Sequence, residues 1–290
     1  MKTIGDYIIM ILGILGSIAS IIALYAFFKG LSEEGWIAVL FLGIICVYFI
    51  AYNFWLLSIY RKKAHYADAF EIINIGFAKL HKLRRKENVT IEDILHELEA
   101  VCDKLSEVFG RIYNTSIGVS IKYIVNGTDN KPKVETLVRD SKSMTANRPT
   151  GSNDDTDHWI ESNTDFNFIY KNIGNANNDA SFFMEKHLPN YVGYENTRLG
   201  NTWILKRRGN IFERIYRKKC WPLKYKSTLV VPIVPLLADE QNKSTIRGFL
   251  CVDSPHEGQF NKIIDVAIMK GVSDGLYNQI DKIYTLNNIK

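Results

Sequence analysis

What this chain of 290 residues lacks narrows its chemistry first. Its four cysteines, Cys46, Cys102, Cys220 and Cys251, form no CxxC pair and no metal-ligand cluster, so the sequence offers no zinc site and no paired-cysteine redox centre. Reduced thiols in a cytoplasmic domain follow. The six histidines, His65, His81, His96, His158, His187 and His256, lack the spacing of a metal site. No P-loop and no dinucleotide fingerprint occurs. With no catalytic constellation in view, the expectation is a protein that is not an enzyme, and no cofactor is named.

Charge is absent from two whole stretches, Tyr7 to Phe28 and Gly35 to Tyr60, and a bilayer core takes about 20 apolar residues to cross as a helix. The first run holds seven Ile, three Leu and two Phe, worth roughly −4 to −7 kcal/mol of insertion free energy before its weaker residues are discounted. It is too long for the apolar part of a cleaved signal peptide, and no small-x-small cleavage site precedes a soluble domain. Only Lys29 to Glu34 joins the runs, so residues 1–60 read as a two-helix transmembrane hairpin with both chain ends on one side. Arg61, Lys62 and Lys63 follow the second run and Lys2 precedes the first, while the connection has one Lys against Glu33 and Glu34. Positive charge concentrates on the cytoplasmic side. The expectation is a multi-pass protein of the inner (plasma) membrane with both termini cytoplasmic and the lipid bilayer as a partner.

Small residues recur four apart in the first run, as Gly13 and Ser17, Gly16 and Ser20, and Ala19 and Ala23. That spacing brings helices close in lipid, either within the hairpin or between copies. Residues 61–112 read as a helical stalk. Apolar residues there alternate three and four apart, as Tyr66, Phe70, Ile73, Phe77 and Leu80, then Ile91, Ile94, Leu98, Val101, Leu105 and Val108, which is an a/d seam. Thr90 followed by Asp93 is a capping start, and the polar run Arg84 to Asn88 separates the two segments. The seam suits a homodimer or the chain's own domain, with a leaning to the dimer because little else stands near a stalk to cover its apolar stripe.

From Ser116 the pattern turns to short strands: Gly118 to Val125 and Val134 to Val138 about a turn at Asn126 to Pro132, then Thr228 to Val234 and Ile246 to Val252 about a hairpin at Ala238 to Thr245. An amphipathic helix, about Asn261 to Tyr284, closes the chain with Ile264, Ile268, Val272, Leu276 and Ile280 on its apolar side. Between the strand pairs, Ser141 to Lys226 reads as a long irregular stretch with an acidic loop at Asn153 to Asp157. Within it, Arg198 to Lys226 holds ten Lys and Arg against Glu213 alone. Such a block serves anionic lipid headgroups, an anionic ligand, or plain solubility. Nucleic acid is not an expected partner, since no recognition motif accompanies the charge.

In its last portion, KSTLVVPIV (Lys226 to Val234), RGFLCVDSP (Arg247 to Pro255) and GQFNKIIDVAIMKGVSDGLYNQI (Gly258 to Ile280), the chain resembles a GAF domain. ESNTDFNFIY (Glu161 to Tyr170) and FFMEKHLPNYVGYENTR (Phe182 to Arg198) are similar to the middle region of membrane-associated bacterial GAF-like proteins. The resemblance covers roughly residues 90 to 285. It implies an α/β (α+β) fold with a central antiparallel sheet flanked by helices over residues 113–290, in a ligand-sensing or dimerising module. GAF domains accept cyclic nucleotides, tetrapyrroles, small metabolites or nothing, so no ligand is named by it. Some are thiol-dependent sulfoxide reductases, which draws attention to Cys220 and Cys251. Cys251 lies mid-strand in an apolar run and reads as a buried structural thiol, and Cys220 has no assignable resolving cysteine or base.

Trp159, Asp165, Phe166, Phe168, Tyr191, Tyr194, Asn196, Arg198 and Trp203 combine aromatic walls with a few polar groups, as a small-molecule pocket does. The alternative is that the aromatics fill the core while Asn163, Asp165 and Asn196 cap helices or turns. Neighbouring Arg and Lys would pair with a phosphate, which makes a nucleotide one candidate ligand. No kinase, cyclase or phosphodiesterase sequence follows, so the output lies elsewhere. The leading reading is a membrane-tethered sensor signalling through its stalk or a partner. The other two are an antiviral-type effector whose hairpins permeabilise the membrane on nucleotide binding, and a ligand-free membrane scaffold.

Overall fold

A strand that is apolar at consecutive positions needs cover on both faces, and the runs TLVVPI and GFLCV obtain it. A computed structural model describes residues 33–83, 89–127, 131–145, 157–173, 182–207, 209–235 and 246–286, together with Ser17, Ser20, Ile21, Leu24, Tyr25, Phe27 and Lys29. In chain order the elements are helices α1 (Glu33–Leu83) and α2 (Ile91–Tyr113), strands β1 (Gly118–Asn126) and β2 (Pro132–Arg139), the single turn α3 (Ser141–Thr145), β3 (His158–Trp159), α4 (Thr164–Asn172), β4 (Phe183–Glu185), α5 (Ile211–Cys220), β5 (Ser227–Ile233), β6 (Gly248–Ser254) and α6 (Ile264–Leu286). The chain divides into two compact units, Met1–Lys63 and Ala64–Lys290.

In the second unit six strands form an antiparallel sheet in the order β3-β2-β1-β6-β5-β4. Alternation splits the two central strands between two cores. Leu229, Val231 and Ile233 of β5 and Leu250 and Val252 of β6 enter the core formed with α1, α2 and α6. Val230, Phe249 and Cys251 enter a second core on the other face, with Phe166, Ile169, Leu188, Tyr194 and Trp221. This is the central antiparallel sheet flanked by helices that the family resemblance implies.

Helix α2 starts at the expected cap: the Thr90 hydroxyl accepts from Asp93 N–H and the Asp93 carboxylate accepts from Thr90 N–H. Its stripe of Ile94, Leu98, Val101, Leu105 and Val108 is buried against the chain's own sheet and α6. Each such side chain gains about 1.5–3 kcal/mol by this burial, and once covered by the chain's own core it is not available to a dimer seam. Of the first half of the seam, Leu80 is buried and Tyr66, Ile73 and Phe77 pack partly buried against the same core; Phe70 alone departs, 66% exposed, while Ala69 and Ile72 are buried beside the seam. The reason is close packing at small residues. An added Cβ at Gly76 would lie 3.5 Å from Lys104 Cβ, and at Gly275 of α6 one would lie 2.5 Å from the Phe77 ring. Residues 84–88 lie outside the described residues, as do 128–130 of the first expected turn, the whole of the second and 153–156 of the acidic loop.

Gly248 shows how tightly β6 sits on β1. It pairs with Tyr123, and an added Cβ would stand 2.0 Å from the Lys122 carbonyl oxygen. Gly248→Ala must therefore push apart two backbones rather than one flexible side chain. The expected result is a loss of about 1–3 kcal/mol in denaturant unfolding.

The stretch expected to be irregular contains α4, α5, β3, β4 and several 3-10 turns. Each is short, and a two- or three-residue strand leaves no periodicity to detect.

In the first unit, α1 carries the one helix among the described residues that is long and apolar enough to cross a membrane by length and composition. Its side chains there are exposed, Phe49, Phe54 and Trp55 among them. Asn53, an amide within this stretch, donates to the Phe49 carbonyl at 2.8 Å. The first apolar run and its small-residue spacing fall largely outside the described residues.

Candidate functional site

Strand register assembles a row of side chains on the sheet face opposite α2 and α6. Ser120 of β1 lies opposite Arg139 of β2 on one side and Cys251 of β6 on the other, and Cys251 lies opposite Val230 of β5. Directly paired residues share a face, so four strands contribute to one row. A β-bulge between Ile121 and Lys122 shifts the next pair, placing Lys122 opposite Thr136. Asp253, two residues past Cys251, lies opposite Thr228. All of these but Ile121 and Thr136 floor a cavity of about 300 Å³.

The opposite wall comes from α4 and two loops: His158, Asn163, Asp165 and Phe166, then Asn196 and Arg198, and Pro222 to Tyr225. Asn163 fixes the first loop. Its amide donates to the Trp159 carbonyl at 2.7 Å, and its carbonyl accepts from Thr197 N–H at 3.1 Å and Thr197 Oγ1 at 2.9 Å. Thr164 adds a second staple, accepting from Glu195 N–H at 2.8 Å. Asn196 then donates to the Tyr225 hydroxyl at 3.2 Å, and Tyr225 is held in turn by Trp221, whose indole donates to its carbonyl at 2.8 Å.

Charges of both signs face this space. Lys122 Nζ donates to Thr136 Oγ1 at 3.0 Å and lies 5.8 Å from the Phe166 ring centroid. The Arg139 guanidinium donates to the same hydroxyl at 3.2 Å. Two cations on one oxygen repel each other, and enclosure of the Lys122 ammonium followed by the nearby Arg139 charge pulls its pKa down. The Asp253 carboxylate accepts from Thr228 Oγ1 at 2.7 Å. Asp165 is buried and its pKa is pushed up to about 7, chiefly by desolvation and further by Asp253, against the opposing effects of Phe166 N–H and Lys122. Burial also pushes the Cys251 thiol and the Tyr225 phenol up, so both stay protonated near neutrality. Among the described residues no three His, Cys, Asp or Glu side chains gather to hold a metal.

Of the nine residues singled out from sequence, Asp165, Phe166, Asn196 and Arg198 line the cavity. Tyr194 is fully buried in the core behind it, and Tyr191, Tyr194 and Phe168 surround Phe183. Trp203 packs edge-on against Trp221 beneath Arg217. Trp159 of β3 pairs with Lys133 of β2 and its ring covers Gly127. Asn196 makes the turn contact expected of it, accepting from Arg198 N–H at 3.0 Å, whereas Asn163 stands before α4 without a side-chain cap bond and ties two loops together instead; both face the cavity. The sequence reading missed the floor: Ser120, Lys122, Arg139, Thr228 and Asp253. Its signal was present as polar side chains at alternate positions of otherwise apolar strands, Ser120 and Lys122 in β1 and Asp253 after Cys251 in β6.

No protein-family model matches the chain, and no curated protein matches it. Solved structures similar to it include the GAF domain of a phosphoenolpyruvate-protein phosphotransferase from Coxiella burnetii, with 9% identity and a TM-score of 0.42, covering 77% of this chain and 98% of that one. The corresponding domain from Acinetobacter has 12% identity and a TM-score of 0.37, covering 73% and 98%. A type II free methionine-R-sulfoxide reductase from Thermoplasma acidophilum has 15% identity and a TM-score of 0.40, covering 66% and 94%.

Proposed function

We propose that this chain is a membrane-tethered sensor whose cavity binds a small polar ligand carrying an anionic group. The observation that carries the reading is the pair of cations, Lys122 and Arg139, brought to one hydroxyl on the cavity floor. Burial and the neighbouring Arg139 charge lower the Lys122 pKa although Asp253 and Asp165 oppose them, and an anionic group beside the two cations would add charge-assisted hydrogen bonds. Asp253 on the floor and Asp165 on the opposite wall suit donors elsewhere on the same ligand. At about 300 Å³ the cavity is at the small end of the range for ligand pockets, which favours a mononucleotide or a smaller metabolite. The protonated Cys251 thiol supports binding rather than nucleophilic chemistry.

The charge-free runs and the exposed apolar face of α1 support tethering to the inner membrane, with flanking Lys and Arg favouring cytoplasmic termini. Occupancy of the cavity would pass through β1, β2 and β6 to α1, α2 and α6 on the other face of the sheet, and from there to the apolar segment or a partner.

The full chain in detergent tests this by thermal shift with mononucleotides, inorganic phosphate and fractionated cell extract. A ligand at a hundred times its Kd adds about 2.7 kcal/mol of stability. The expected result is a fraction that raises the melting temperature of the parent chain and not that of Lys122→Met. Equal shifts in both, or none in either, would remove the support.

A further inference from the structure

Helix α5 is attached to its domain by a charged side chain and turns its apolar side to solvent. In IFERIYRKKC, Ile211, Phe212, Ile215 and Tyr216 are 69, 83, 61 and 63% exposed, and no residue of the helix is buried. At 3.6 residues per turn these four cover about 140° of one face. Arg217 projects from the other side. It donates to the Pro189 carbonyl at 2.7 Å and to the Trp203 carbonyl, and its guanidinium lies 5.6 Å and 5.9 Å from the Trp203 and Trp221 ring centroids. Lys218 adds an ion pair to Glu257 at 3.2 Å. A surface helix of a water-soluble domain has the opposite arrangement, with its apolar stripe inward.

The surroundings of the exposed face name what covers it. Arg214 and Lys218 flank the face on one side, Lys219 ends it at the last turn of the helix, and Lys206 and Arg207 lie shortly before it, while the one acid on the helix, Glu213, is committed to a capping box with Asn210. An apolar face with a cationic rim is complementary to a bilayer surface with anionic headgroups. The same chain carries a helix apolar enough to span a membrane. We infer that α5 is a membrane-surface helix that inserts Ile211, Phe212, Ile215 and Tyr216 among anionic lipid headgroups. This inference stands independently of the cavity and its ligand.

The test places a reporter on the face itself. The full chain with Phe212→Cys, in a background of Cys46→Ser and Cys220→Ser, is labelled at position 212 with an environment-sensitive nitrobenzoxadiazole dye. It is then reconstituted in vesicles of phosphatidylcholine, with or without phosphatidylglycerol. The expected result is a severalfold rise and a blue shift of emission in the anionic vesicles, quenched by lipids brominated near the headgroup. Ile215→Glu should abolish the rise and leave the melting temperature unchanged, since α5 contributes nothing to the core. Emission that is the same in detergent and in both kinds of vesicle overturns the inference. So does emission that rises with protein concentration in detergent, because that result assigns the face to a second copy of the chain.

Discussion

Asp165→Asn is expected to melt several degrees above the parent chain at pH 8 and close to it at pH 4. In the unfolded chain this carboxyl titrates near 3.8, whereas burial holds it near 7 in the folded protein. At pH 4 the folded state keeps the proton and the unfolded chain is only partly ionised, so the difference between them is small. As pH rises from 4 to 7, the unfolded chain ionises first and the folded state becomes relatively less stable. Above pH 7 both are ionised and the penalty is constant, on the order of 4 kcal/mol at 1.36 kcal/mol per pKa unit. Asparagine is isosteric, retains an acceptor for Phe166 N–H and carries no charge to desolvate.

The same substitution is expected to weaken ligand binding at least about tenfold, the effect of losing one charge-assisted hydrogen bond. Gain of stability with loss of binding marks a residue kept for function. Melting curves of both chains from pH 4 to pH 8 decide the matter. An asparagine variant less stable at every pH would show that Asp165 is a structural acid.

The second large effect is expected at Asp265, in the first turn of α6. Its carboxylate accepts from Tyr66 of α1 at 2.9 Å, from Tyr113 of α2, and from Asn261 N–H at 2.6 Å. Burial still pushes its pKa up despite these donors. The cluster joins three helices where the chain enters α6, beside Phe260, whose φ of 71° is held by edge-on contacts with Phe109 and Tyr113. Asp265→Ala leaves two phenols and a backbone N–H without their acceptor, at about 1–3 kcal/mol for each group that stays unsatisfied. Relief of the buried charge offsets part of this, and a net loss of about 3 kcal/mol is expected in urea unfolding. Tyr66→Phe, which removes a single donor, should cost no more than about 1.5 kcal/mol. If both variants unfold with the parent, the three helices are held by their apolar contacts alone.

The parts of this fold that could be read from sequence are those with a long, regular pattern. The strands TLVVPI and GFLCV followed from continuous apolar runs, the capping box at Thr90 from the spacing to Asp93, and the stripe of α2 from periodicity. The partner of that stripe did not, because a/d spacing looks the same whether another chain or the chain's own sheet covers it. In α1, Ala69 and Gly76 rather than Phe70 meet the rest of the domain, since close helix packing is set by what is absent from a side chain.

The cavity was half legible. Its α4 wall stood out as aromatic and polar residues near each other in sequence. Its floor draws Arg139, Ser120, Cys251 and Thr228 from four strands, and only the register brings those together. Conversely, Tyr191, Tyr194 and Trp203 have the composition of a pocket and the packing of a core.

The most direct measurement of the central claim is native mass spectrometry of the detergent-extracted full chain, purified without added ligand. The account predicts a bound small molecule on the parent chain that is lost when Lys122→Met and Asp253→Asn are combined. Parent and variant carrying the same adduct, or a parent that carries none and takes up nothing from cell extract, would contradict it.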